Sequence, residues 1–157
     1  MKNKIILLLL LVSFTSAEEL KIKSKSFNAD EKSGEAVFEG DVNIVKGSDE
    51  LNASKIKIFT NNKHKPMKYI ASGDVSFHIT TKDGSIYNGK AQKVIYFPKK
   101  KEYHFYTDVN LSQSENQKVI IGDEVVLKTI DGQAYAKGQK NKPVIMIFKI
   151  TDNKKEK

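Results

Sequence analysis

Gly40-Asp41-Val42-Asn43-Ile44, Gly73-Asp74-Val75-Ser76-Phe77 and Thr107-Asp108-Val109-Asn110-Leu111 are three copies of one phrase, set 33 and 34 residues apart. Such near-constant spacing marks a repeated supersecondary unit. A weaker fourth copy, Gly132 to Gly138, matches Gly34 to Gly40 but lacks the Asp-Val that follows, and reads as a closing repeat. Side chains of a strand alternate between faces, and around each phrase one face is apolar. Ala36, Phe38, Gly40, Val42 and Ile44 share a side in the first copy. Tyr69, Ala71, Gly73, Val75, Phe77 and Ile79 do so in the second, and Tyr103, Phe105, Thr107, Val109 and Leu111 in the third. The opposite face carries Glu35, Glu39, Asp41 and Asn43, then Ser72, Asp74, Ser76 and His78, then His104, Asp108, Asn110 and Ser112. That is the pattern of a sheet wet on one side.

A second element follows each phrase: Ala53 to Phe59, Ala91 to Phe97 and Gly122 to Lys128. It begins 12, 17 and 14 residues after Asp41, Asp74 and Asp108, so the strand cores repeat while the hairpins between them vary. Lys46-Gly47-Ser48-Asp49, Lys82-Asp83-Gly84-Ser85 and Ser114-Glu115-Asn116-Gln117 fall in the gaps, and Asp-Gly is a strong hairpin signal. No apolar spacing of three and four is sustained beyond Leu20. The expected fold is all-β, a long antiparallel meander of eight or nine long strands. Mid-strand Gly40 and Gly73 mark bends, and a sheet with one apolar face must roll to bury it. A bulge between Ala91 and Val94 would slip the strand phase near Lys93 by one residue, so that phase is left open.

The amino terminus reads as a cleavable signal peptide over residues 1–17. Lys2 and Lys4 supply positive charge, Ile5 to Val12 an apolar run of eight, and Thr15-Ser16-Ala17 small residues for cleavage. The run is about half the length of a membrane-spanning helix. Residues 18–150 then form one domain, and 151–157 a flexible charged tail. The expected location is the periplasm.

The chain has 157 residues, a formal charge of +8, no Cys, and no Arg among its 27 basic residues. Absence of Cys excludes disulfides, thiolate nucleophiles and Cys-type zinc sites. Without Arg there is no planar fork for bidentate phosphate reading, and no nucleic-acid partner is expected. His64, His78 and His104 are too scattered to pair as metal ligands, and no cofactor is expected. Asp41, Asp74 and Asp108 recur at one place in every copy, which a bulge requirement explains better than catalysis, since catalysis needs one asymmetric constellation. With no nucleophile elbow, phosphate loop or dinucleotide fingerprint, the chain reads as a non-enzyme. Lys63-His64-Lys65, Lys99-Lys100-Lys101 and Lys154-Lys155 fall in expected turns or the tail. They read either as solvated loops or as attraction to lipid phosphates.

Glu35 to Val42, Asn88 to Tyr96 followed by Pro98-Lys99-Lys100, and Ile120 to Val125 resemble the OstA-like repeats of the LptA family of periplasmic lipopolysaccharide-transport proteins. The resemblance spans about residues 27 to 138. It implies a half-open, U-shaped β-jelly roll whose groove holds lipopolysaccharide or lipooligosaccharide acyl chains. It also implies head-to-tail stacking between an inner-membrane LptC-like and an outer-membrane LptD-like component. On that reading the groove is lined by Phe38, Val42, Ile44, Ile56, Ile58, Val75, Phe77 and Ile79, continuing through Val94, Tyr96, Phe105, Val109, Leu111, Val125 and Leu127. The alternative is a structural or adaptor β-domain of the envelope, with the same residues forming a sealed core. Two edge segments complete the reading: Leu20 to Lys25, where Leu20 and Ile22 alternate with Lys, and Val144 to Ile150, apolar on both faces through Val144, Met146 and Phe148. Unpaired edges add strands readily, so these two are expected to join successive copies.

Overall fold

A computed structural model describes residues 19–115 and 117–150; the expected signal peptide, residues 1–17, and the expected charged tail, residues 151–157, lie outside the described residues. Ten strands form one antiparallel sheet: β1 (Leu20–Lys23), β2 (Ser26–Asp30), β3 (Glu35–Lys46), β4 (Asp49–Thr60), β5 (Pro66–Thr80), β6 (Ile86–Phe97), β7 (Glu102–Gln113), β8 (Lys118–Lys128), β9 (Ala134–Lys137) and β10 (Ile145–Ile147). The expected eight or nine long strands become six, β3 to β8, flanked by four short ones. β3 to β8 run as a meander; β1 and β2 share the free side of β3, and β9 and β10 share that of β8. The sheet therefore keeps two edges and is not closed into a barrel.

Every long strand is creased at one level. The register shifts between Glu39 and Val42 in β3, Ser72 and Val75 in β5, and Tyr106 and Val109 in β7, each against the neighbouring strand. At these points Gly40 and Asp41, Gly73 and Asp74, and Thr107 and Asp108 all have positive φ, from 45° to 82°. Asp tolerates the left-handed region better than most residues because its short side chain hydrogen-bonds locally, which accounts for the recurring Asp. Gly73 has a second reason: a Cβ there would lie 2.6 Å from the Ser54 hydroxyl oxygen. Thr107, expected on the apolar face, sits in its bulge and is exposed. In the partner strands the bulge resets the side-chain phase. Ala53 and Ile56 are both buried, as are Ala91 and Val94, while Gln92 and Lys93 between the latter pair are exposed. The phase near Lys93 thus slips by one residue.

The crease folds the meander onto itself. Phe105 lies six residues along β7 from Leu111, about 20 Å in a straight strand. Leu111 belongs to the cross-strand row of Gly89 and Phe77, yet the Phe77 and Phe105 rings meet with centroids 4.4 Å apart. Two layers therefore face each other across one apolar interior, in which Val75, Phe105, Val109, Val125 and Leu127 are fully buried. Outside, polar ladders cover the second layer. The Asn43 amide donates to Asn52 Oδ1, and His78 Nδ1 lies 2.6 Å from Asn88 Oδ1.

Candidate functional site

Thr129, just beyond β8, closes one side of the roll. Its carbonyl accepts the Lys82 N–H of the β5–β6 turn, and its own N–H donates to the Lys101 carbonyl of the β6–β7 turn. Nearby, the Tyr87 hydroxyl donates to the Gly132 carbonyl at 3.3 Å. Strand tips of the two layers are thus tied together around β5 to β8, and the interior between them is packed.

Toward β1, β3 and β4 the interior opens. A cavity of about 260 Å³ is walled on one layer by Tyr69, Tyr96 and Tyr103 and on the other by Leu20, Ile44, Leu51 and Ile79, with Lys46, Asp49, Glu50, Pro66 and Pro98 completing the wall. The three tyrosines are direct cross-strand neighbours on β5, β6 and β7. Their ring centroids are 6.0 Å apart from Tyr69 to Tyr96 and 4.3 Å from Tyr96 to Tyr103. Rings carry large apolar area in few rotatable bonds, so this wall holds its shape when empty. Ile44 and Leu51 are paired across the two-residue Gly47-Ser48 hairpin. Asp49 ties the layers: its Oδ1 accepts the Thr80 N–H at 2.8 Å, and the Tyr103 hydroxyl donates to its Oδ2 at 3.4 Å. Burial pushes the Tyr103 hydroxyl well above the ordinary tyrosine range, and the nearby Asp49 carboxylate adds to it. Burial also raises Tyr69. Both phenols stay neutral at pH 7, so the wall is apolar with polar tips.

All fifteen expected groove residues face the interior, but they do not share one open space. Twelve are buried and packed on one another; Phe38, Ile44 and Tyr96 are partly exposed. Ile44, Ile79 and Tyr96 line the mouth, and Leu111 lines a smaller hollow beside Met146. Leu51, Tyr69 and Tyr103 complete the mouth and were absent from the expected groove. The two tyrosines carried a readable signal, since both stand on the apolar face at the depth of Tyr96. Leu20, expected at an assembly edge, lines the mouth as well. Ile22 is partly buried, on β1 beside Ile44 of β3, whereas Met146 and Phe148 are more than half exposed and Val144 is partly buried. The expected strand from Val144 to Ile150 narrows to Ile145–Ile147, paired with Val119 to Ile121 of β8. Phe148 and Ile150 lie beyond it.

Lys63 to Lys65 and Lys99 to Lys101 occupy the turns at the first layer's tips. Asp41 is exposed and ion-paired to Lys25 at 2.6 Å, and Asp74 accepts the Gln92 amide. Among the described residues no three His, Cys, Asp or Glu side chains gather where a metal could sit.

A creased antiparallel sheet, rolled about an apolar interior and open at one end, places the molecule in the class of half-open β-jelly rolls. Residues 21–133 match the family described as LptA/(LptD N-terminal domain) LPS transport protein, and the chain belongs to that family. Its members are transport components, and the chain is not an enzyme. The crystal structure of LptH has the same fold, with a TM-score of 0.75 at 15% identity over 85% of this chain and 96% of that one. LptH is the LptA-homologous periplasmic component of the lipopolysaccharide transport device of Pseudomonas aeruginosa. No curated protein sequence matches the chain.

Proposed function

We propose that the chain is a periplasmic carrier and bridge that takes lipopolysaccharide or lipooligosaccharide acyl chains into the roll and passes them from the inner toward the outer membrane. The observation that carries this reading is the accessible apolar cavity between the tyrosine wall and Ile44, Leu51 and Ile79, in a member of a lipopolysaccharide-transport family. Its volume is slightly below the roughly 300–1,000 Å³ of small-ligand pockets, enough for part of an acyl chain. Each CH₂ removed from water contributes about 0.8 kcal/mol, so a short segment supplies several kcal/mol of reversible affinity. Deeper entry requires the two layers to part along the interior, bringing Val42, Ile56, Phe77 and Val94 into contact with lipid. Binding of lipopolysaccharide to the purified protein tests this. Leu51→Asp puts a charge in the mouth and should weaken binding at least tenfold, about 1.4 kcal/mol; unchanged binding would remove the mouth from the account.

The two free edges support the bridging half of the proposal. β1 and β2 at one end and β9 and β10 at the other leave backbone groups available for strand addition. Leu20 is 39% exposed and Met146 51% exposed beside them. Pairing of unlike edges does not close on itself and generates open filaments, ending on LptC-like and LptD-like components. Deleting residues from Val144 onward should leave a folded monomer. Growth with concentration that persists in light scattering after that deletion would place the junction elsewhere.

The packed interior under Thr129 favours one second reading, a structural adaptor that carries no lipid, for which native protein and Leu51→Asp would be equally silent in the binding experiment.

A further inference from the structure

Directly beside the apolar mouth lies a second cleft of opposite character. It is lined by Lys46, Ser48, Thr80, Lys82, Lys101 and Thr129, and it shares Lys46, Asp49 and Tyr96 with the mouth. We propose that this lysine cleft is a head-group site that binds the phosphomonoester of an acylated ligand whose chain occupies the mouth. The inference rests on the lipid-carrying reading above.

The fold builds this cleft from turns distant in sequence. Thr129 accepts the Lys82 N–H at 2.8 Å and donates its own N–H to the Lys101 carbonyl at 3.0 Å, so one residue fixes both lysine backbones. The Thr129 hydroxyl donates to the same Lys101 carbonyl. Lys101 is held at φ 53°, a backbone state that long side chains seldom adopt. Among the described residues no ion pair engages the ammonium of Lys82 or Lys101. Three lysines, Lys46, Lys82 and Lys101, line the cleft against the single lining carboxylate of Asp49, which accepts from Thr80 and Tyr103. Glu50, on the wall of the mouth, accepts the Asn43 amide. The balance of about two positive charges matches a phosphomonoester, which carries about −1.5 to −2 at pH 7. Lysine suits it as a flexible point charge, without the planar geometry that guanidinium imposes.

The test compares two lipids that differ only in the phosphate: myristoyl lysophosphatidic acid and monomyristoylglycerol, titrated calorimetrically below their micelle concentrations. The lysophosphatidic acid should bind at least tenfold more tightly, with the gap closing as salt rises. In the double variant Lys82→Gln and Lys101→Gln the gap should fall below threefold, while affinity for the uncharged lipid stays unchanged. Both side chains are exposed, and thermal melting of the variant confirms that it is folded. Inorganic phosphate alone should give no measurable binding at millimolar concentration. Equal affinity for the two lipids, or an undiminished gap in the double variant, overturns the head-group site and leaves the carrier reading standing. Inorganic phosphate binding as tightly as the lysophosphatidic acid would make the cleft a free-anion site and overturns the proposal too. Binding of neither lipid overturns the mouth itself, and the head-group site with it.

Discussion

The two ends of this roll are made from the same repeat and differ in what fills them. Around β5 to β8 the phases of the strands bring Phe77, Phe105, Leu111 and Leu127 together at 5% exposure or less, and Thr129 ties the strand tips over them. Around β1, β3 and β4 the same face supplies Leu20, Ile44 and Leu51, which stop short of Tyr69, Tyr96 and Tyr103 and leave a cavity. The difference lies in where the bulk sits. At the closed end aromatic rings of opposite layers interlock, whereas at the open end the rings lie side by side along one layer and face short aliphatic chains. A stable frame and an accessible apolar surface therefore come from one pattern, and a carrier needs both.

The closed end is most sensitive at Gly89, which lies between Phe77 and Leu111. A Cβ there would come 1.9 Å from the Asn110 carbonyl oxygen and 2.8 Å from Phe77 Cζ. Because backbone must move, Gly89→Ala should exceed the roughly 1–3 kcal/mol of ordinary overpacking and leave little folded protein by circular dichroism. Phe105→Ala follows, at about 3–5 kcal/mol for a fully buried ring, read from urea denaturation. At the open end Leu51→Ala should cost only about 1 kcal/mol, because its side chain already borders a cavity and leaves little new void. A cost equal to that of Phe105→Ala would erase the distinction between the ends.

The smallest effect appears only in alkali. Tyr103 ionises with difficulty in the folded state because it is buried beside Asp49, whereas its unfolded counterpart ionises near pH 10. A folded pKa raised in this way contributes stability that is complete below about pH 10 and is lost as pH rises toward the folded value. Tyr103→Phe should change stability by under about 1 kcal/mol at pH 7, given the long hydrogen bond it removes. The variant should show a shallower loss between pH 10 and 11. Identical alkaline slopes would mean that the mouth is more hydrated than its geometry implies.

The repeat, its two faces and the crease were legible because strand alternation and the Gly-Asp bulge are local properties. Asp41, Asp74 and Asp108 announced three bulges without any knowledge of pairing. The division of the interior into a sealed and an open end was not legible, because it depends on which rings meet across the fold. Phe77 and Phe105 look no different in sequence from Tyr69 and Tyr103. Leu51 escaped notice for a related reason: the bulge resets the phase of β4, so Leu51 faces inward with Ala53 and out of step with Ile56. Val144 to Ile150 read as a long strand on its apolar content, yet only three residues pair: β9 occupies Glu124 to Leu127 of β8 on one side, and on the other the register brings Phe148 to Lys118, where β8 begins, so Lys149 and Ile150 have no strand beside them.

The most direct test places a photo-crosslinking amino acid in cells at Leu51 in the mouth and, separately, at Ser76 on the outer face of β5. Lipopolysaccharide adducts are expected from position 51 and none from position 76. Adducts at position 76 with none at position 51 would contradict the carrier reading.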